Sequence, residues 1–335
     1  MKTISRMPVA KCSCVAMLMC ALALPPLAQA AQPGAGAYPS RPIRLVVPSS
    51  PGGGTDIIAR LIGQALSDAW KQSVVVDNRG GGGGTVGVTI VAKAAPDGYT
   101  MLLGSVGHLT FAPVVRPGLS YDAQKDVAPI TLAANQPFLI AANPSFPPNS
   151  IKELIVLAKG RPGTVRYGSG GAGSASHLGI ELLQMEAGFS MLHVPYKGSN
   201  PSITATMGGE VQLSLAGLAT VLPHIKSGRL KPLAVTGSKR AQVAPDIPTA
   251  GESGAPGYAY DVWYGLVFTG GTPRATVEKA NATLVKLLKS PELRKRFLAT
   301  GVEPLTSTSA EFRSLIASEI AKWRKVVKAA GIKLQ

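Results

Sequence analysis

Cysteine is almost absent and badly placed for stapling. Cys12, Cys14 and Cys20 all fall within the first twenty residues of a 335-residue chain. A disulfide framework is therefore excluded over the body of the chain, and stability has to come from a core, which a chain this long can build. Acidic residues are also scarce, 18 against 34 basic ones, for a formal net charge of +16. Beyond residue 24 there is no apolar run of about 18 residues, so no membrane-spanning helix is expected there. The P-loop pattern and the nucleophile elbow are missing, which argues against nucleotide and hydrolase chemistry. His108, His177, His193 and His224 lie far apart in the chain with no H-E-x-x-H pattern. No metal centre is expected. Nor do basic residues interleave with aromatics as they do on nucleic-acid-binding surfaces, so no such partner is expected.

What the first thirty residues do contain is a secretory signature. Lys2, Arg6 and Lys11 precede the apolar run Cys14–Leu24, Pro25 and Pro26 break it, and Ala28-Gln29-Ala30 offers small residues for cleavage. A signal peptide over 1–30 predicts a periplasmic mature protein. Met19 is bulky where a lipoprotein needs a small residue before Cys20, so a soluble rather than lipid-anchored form is expected. The mature chain keeps 31 basic and 18 acidic residues, a net +13. Such charge suits a solvated surface that mildly attracts small anions.

Hydrophobic periodicity gives alternating strands and helices. Strands are expected at 43–47, 74–76 and 99–103. The intervening helices carry Ile57, Ile58, Leu61, Ile62 and Leu66 on one face, then small residues over 85–95. Short βα connections of this kind build a mostly parallel sheet with helices on both faces. The run 130–142 is long enough to leave one sheet and enter another. A helix capped by Ser150 follows, then strands at 165–167, 193–196 and 211–215 with helices near 177–187 and 201–208. A second extended crossing at 233–236 leads to a strand at 263–268 and helices over 273–289 and 309–330. The expected fold is α/β with two lobes, one formed by 38–134 plus 234–335 and the other, inserted, by 135–233.

The chemistry concentrates in three glycine-rich turns, each after a strand and opening a helix. These are Pro51-Gly-Gly-Gly-Thr-Asp56, Asn78-Arg-Gly-Gly-Gly-Gly-Gly-Thr85 and Ser169-Gly-Gly-Ala-Gly-Ser174. Helix N-termini present unpaired N–H groups and partial positive charge, and glycine lets an anion approach them closely. Gly83 stands inside the second turn. Asp56 either ties the first turn together or acts on a ligand, and His177 either is structural or donates to an anion. Lys197 is the basic residue expected nearest the cleft, so backbone donors rather than a guanidinium or ammonium clamp are expected to hold the ligand.

Several motifs together make a more specific match. Tyr38-Pro-Ser-Arg-Pro-Ile-Arg-Leu-Val-Val-Pro48, Ala95-Pro-Asp-Gly-Tyr-Thr100, His193-Val-Pro-Tyr-Lys-Gly198, Pro223–Leu230, Pro245-Asp-Ile-Pro-Thr249, Trp263-Tyr-Gly265 and Lys322-Trp323 follow in order along the mature chain. The chain resembles the Bug family of extracytoplasmic solute receptors, the binding proteins of tripartite tricarboxylate transport systems. The resemblance implies a type II periplasmic-binding-protein-like fold with a ligand cleft between its lobes. It further implies capture of a small carboxylate, no catalysis, no cofactor, a monomer, and transient docking to membrane transporter subunits or a sensor. Carried onto this chain, the carboxylate-binding loops fall on Ser49, Ser50, Gly52, Gly53, Thr55 and Asp56 in one lobe. In the other they fall on Ser169, Gly170, Gly171, Gly173, Ser174 and His177, with Ser105 and Tyr196 completing the wall. Ser49 replaces the family's usual aromatic, and Leu215-Ala216 its frequent Phe-Asp. Both changes predict a more polar or roomier pocket with no carboxylate at that wall.

Overall fold

A computed structural model describes residues 38–331 apart from Ser50 and Gly53. The leader expected over 1–30 lies outside the described residues, as do Ser50 and Gly53. The chain opens with β1 (Ile43–Val47), α1 (Gly54–Trp70), β2 (Val74–Asn78), α2 (Thr85–Ala92) and β3 (Thr100–Ser105). β1 lies between β2 and β3, parallel to both. Its apolar residues are buried on both faces, as helix-covered parallel strands require. α1 turns Ile58, Ala59, Ile62 and Leu66 inward at helical spacing.

Beyond β3 a π-helical turn over Gly107–Phe111 runs into α3 (Ala112–Val115), a segment with no sequence-predicted element. β4 (Val127–Gln136) then joins the first sheet, and β5 (Phe138–Ala142) joins a second. The long extended run does change sheets, at Pro137. The second sheet is completed by α4 (Ile151–Gly160), β6 (Arg166–Ser169), α5 (Ala175–Ala187), β7 (Leu192–Pro195), α6 (Ser199–Met207), β8 (Leu213–Gly217), α7 (Leu218–Lys226) and β9 (Lys231–Val235). Ser150 caps α4 by accepting the Glu153 amide.

The chain returns through the irregular stretch 236–261 to β10 (Val262–Thr269), then α8 (Arg274–Leu288), α9 (Pro291–Ala299), β11 (Glu303–Pro304) and α10 (Ser309–Ala329). The first sheet runs β11-β4-β10-β3-β1-β2 and the second β7-β6-β8-β5-β9. Both sheets are mixed rather than mostly parallel. β10 is antiparallel to β3 and β4, and β5 is antiparallel to β8 and β9. The reason is the double crossing: a strand returning from the other sheet enters at the end where β4 left, without a crossover helix to reverse it. The second crossing is also longer than the extended segment expected at 233–236, since β9 stays in the second sheet.

Asp261 sits where both crossings meet. It accepts from Asn135 Nδ2 at 3.1 Å, at the end of β4, and from the Ser238 amide, just past β9. α10 closes the first sheet from one side, with Phe312 and Trp323 fully buried and edge-on to Trp263 and Phe111. Gly265 in β10 makes that fit possible, because a Cβ there would stand 2.5 Å from Phe312 Cε1. Replacing Gly265 by Ala should cost about 1–3 kcal/mol by overpacking. A lowered urea midpoint at unchanged slope is the expected result.

Candidate ligand-binding site

The first glycine turn is organised by a carboxylate. Asp56 is 3% exposed, and its Oδ2 accepts from the Gly52 amide at 2.8 Å and Arg60 Nε at 3.0 Å. Its Oδ1 accepts from Asn78 Nδ2 at 3.1 Å, and the same amide group donates to the Ser49 carbonyl at 3.3 Å. Burial alone would raise the Asp56 pKa. The bonds from Arg60, Gly52 and Asn78 outweigh it, and the net shift is downward. Both oxygens of Asp56 are thus occupied within the loop, and Gly52 takes the positive φ of 81° that the turn needs. Thr55 bonds the Tyr264 hydroxyl, which itself donates to Gln136 Oε1 at 2.8 Å beside Pro137. The Ser49 hydroxyl is buried and has no hydrogen-bond partner among the described residues.

The second turn is filled by residues that sequence reasoning missed. Gly81, Gly82, Gly83 and Gly84 all have positive φ, which explains the glycine tract. Arg116, just past α3, donates from Nη1 to the Gly82 carbonyl. A Cβ on Gly83 would stand 2.6 Å from Arg116 Nη2. Gly84 lies against the His108 ring and, at its would-be Cβ, 3.0 Å from the Pro48 carbonyl. His108 Nδ1 accepts the Ser105 amide at 3.2 Å and meets Ser105 Oγ at 2.9 Å. Burial lowers the His108 pKa to about 4, so it works here as a neutral ring. Arg116 thus brings a guanidinium to the second turn, beside its backbone groups. No glycine run marks the segment holding His108 and Arg116; the faint signal is the small-residue stretch Gly104-Ser-Val-Gly107 after a strand.

The third turn lies between β6 and α5, and its own side chains satisfy its amides. Gly170 N–H donates to Ser176 Oγ at 2.8 Å, Gly171 N–H to Ser169 Oγ at 3.1 Å and Gly173 N–H to His177 Nδ1 at 3.0 Å. Ser174 caps α5 by accepting the His177 amide at 3.3 Å. These amides are not the open donors that the glycine pattern suggested; an anion must exchange with side-chain acceptors to reach them. Tyr196 contributes backbone, donating N–H to the Ser169 carbonyl at 3.0 Å, while its hydroxyl turns away to Glu210 at 2.7 Å. Beneath the turn, His177 and His193 stack at 3.8 Å with planes 8° apart. Ser169 Oγ meets His193 Nε2 at 2.6 Å, and Tyr167 donates to Glu181, which lies 3.6 Å from His177 Nε2. Burial, helped by the neighbouring ring, lowers His177 to about 4; burial alone does the same to His193. The His177 role that this geometry supports is structural.

The two sheets bring their loops face to face. Val115 Cγ2, next to Arg116, lies 3.8 Å from the position a Cβ would take on Gly173. Loops at the carboxyl ends of strands in the two sheets thus lie side by side, and such strand ends are where open α/β sheets take ligands. Residues 58–332 match the family described as tripartite tricarboxylate transporter family receptor. The chain belongs to this family of receptors. BugT of Bordetella pertussis is 36% identical over 307 residues, covering 91% of this chain and 94% of that protein. A protein of R. palustris solved with adipate superposes at a TM-score of 0.75 with 36% identity, covering 88% of this chain and 99% of the other. MatC of Rhodopseudomonas palustris, solved with bound malate, gives 0.70 and 32%, covering 87% of this receptor and all of MatC. The receptor thus has the two-lobed periplasmic-binding-protein fold. Among the described residues no helix is long and apolar enough to cross a membrane.

Two outcomes follow from the bonding at these loops. Asp56→Ala strands three donors, so it should lower stability by about 2–3 kcal/mol and weaken ligand binding together. Thermal unfolding and calorimetry on one preparation check this; lost binding at an unchanged melting temperature would falsify the organising role. His108, His177 and His193 set the acid side. Their folded pKa values lie below the ordinary value of about 6.5, so between there and about 4 the unfolded chain takes up protons that the fold refuses. Stability should be full above pH 7 and fall across that window. His193→Asn should make the fall shallower in a urea titration repeated against pH.

Proposed function

We propose that the protein is a periplasmic receptor that captures a small carboxylate between its lobes, residues 38–134 with 234–335 and 135–233, and passes it to a membrane transporter. The observation that carries this reading is the approach of the two sheets' loops to each other, with Val115 at the end of α3 facing Gly173, whose turn opens α5. Relatives solved with adipate and malate support an acidic ligand, because they share this fold over most of the chain. The leader over 1–30 delivers the chain to the periplasm. It works as a monomer, without a cofactor and without catalysis, and docks transiently on transporter subunits in its closed form.

The energetics suit reversible capture. Charge-assisted bonds contribute roughly 1.5–3 kcal/mol each, and several of them offset ordering costs to give about −8 kcal/mol, a micromolar constant. Such binding is tight enough to load and loose enough to hand over. Pro137 and the 236–261 stretch are the crossings about which the lobes close.

A thermal-shift screen of the mature protein against mono-, di- and tricarboxylates and acidic amino acids tests the reading. At a hundred times its dissociation constant the right acid should add about 2.7 kcal/mol. Its primary amide should give no shift, and small-angle scattering should show compaction at saturation. A library without a hit, or an amide as effective as its acid, would remove the carboxylate reading.

A further inference from the structure

We propose that Arg116 recognises a second acidic group on the ligand, so that the cleft selects dianions over monoanions of the same length. The proposal rests on the receptor reading above and adds to it the residue that sets ligand charge.

Arg60 and Arg79, beside the first two turns, each already have a carboxylate partner, although Asp77 also serves Arg44 on β1. Arg60 pairs with Asp56 at 3.0 Å, and Arg79 with Asp77 at 2.9 Å. Arg116 is half-buried, and among the described residues it pairs with no carboxylate. Its recorded bond is the one from Nη1 to the Gly82 carbonyl. That carbonyl does not depend on it, because Thr85 already donates to the same oxygen through Oγ1 at 3.0 Å and through its amide. Capping a turn therefore does not account for placing a guanidinium here.

Room has been kept for it. The guanidinium lies against Gly83, where any Cβ would stand 2.6 Å from Nη2 and 3.1 Å from Nη1. The residue before it, Val115, is the point at which the first-sheet side approaches the Gly173 loop. Arg116 thus stands at the boundary between the loops, beside the second glycine turn rather than at the Asp56 knot or the His177 stack. A guanidinium has five donors in a planar fork. With one engaged on Gly82, the rest can grip a carboxylate at two points while the ligand's other carboxylate is held at the third turn. Partial burial keeps this pairing from being screened as a surface pair is.

The test compares acids that differ only in the second carboxylate: adipate against hexanoate, and succinate against butyrate. Calorimetry is run on the mature wild type, Arg116→Gln and Arg116→Lys, with melting temperatures of the three unliganded proteins as the check on folding. Wild type should prefer the better diacid over its monoacid by about tenfold or more. Arg116→Gln should bring that ratio close to one while leaving monoacid affinity within about threefold. Arg116→Lys, which keeps the charge and loses the fork, should fall between them. If Arg116→Gln weakens monoacid and diacid alike, the residue merely supports the turn and the proposal is wrong. An unchanged ratio overturns it equally. Wild type that binds monoacids well but shows no diacid preference sinks this proposal and leaves the receptor reading standing. Binding of none of the acids sinks both.

Discussion

A buried carboxylate stays ionised only where donors converge on it, and Asp56 gathers them from three places: the Gly52 amide in its own turn, Arg60 one helical turn on, and Asn78 at the end of β2. This knot holds the β1–α1 connection to the neighbouring strand. Asn78 extends it to the Ser49 carbonyl, and Thr55 extends it to Tyr264 and Gln136 at the first crossing. The first turn, the strand order and the passage between sheets therefore share one electrostatic anchor. Without it, the amide of Gly52 and the two side chains around it would be left seeking partners in a partly dry loop.

The same economy of donors runs through the other two turns. In the third, the side chains of Ser169, Ser176 and His177 accept the amides that an anion would otherwise take. In the second, Thr85 and Arg116 meet the Gly82 carbonyl while His108 fills the space above Gly84. In the receptor role proposed above, such loops bind by exchange: a carboxylate replaces weak hydroxyl and imidazole acceptors with a charged one, and the amides change partner rather than being exposed. The histidines have to be neutral for this, since a protonated His177 Nδ1 cannot accept from Gly173. Burial and the stacked ring ensure it at neutral pH.

The mixed sheets are a consequence of crossing twice. β4 and β5 are one extended run interrupted at Pro137, and β10 must come back through the same gap. Asp261 ties both passages by accepting from Asn135 on one and Ser238 on the other. Both passages between the sheets are thereby tied to one carboxylate.

Much of this could be read from the chain alone, because period-2 and period-3.6 apolar patterns record burial directly. The strand at 43–47, the helix bearing Ile58, Ile62 and Leu66, the Ser150 cap and the change of sheet within 130–142 are all local statements. The glycine turns were visible for the same reason, since positive φ leaves its mark at the residue that adopts it. Strand direction was not visible, because it depends on where the chain re-enters a sheet rather than on any residue in β10. Nor was the occupancy of the turns, which tertiary packing alone decides. His193 on β7 stacks on His177 of α5, and Arg116 reaches Gly82 and Gly83 from beyond a segment with no periodic signal. A glycine shows that something comes close; only the folded chain shows that at Gly83 it is a guanidinium.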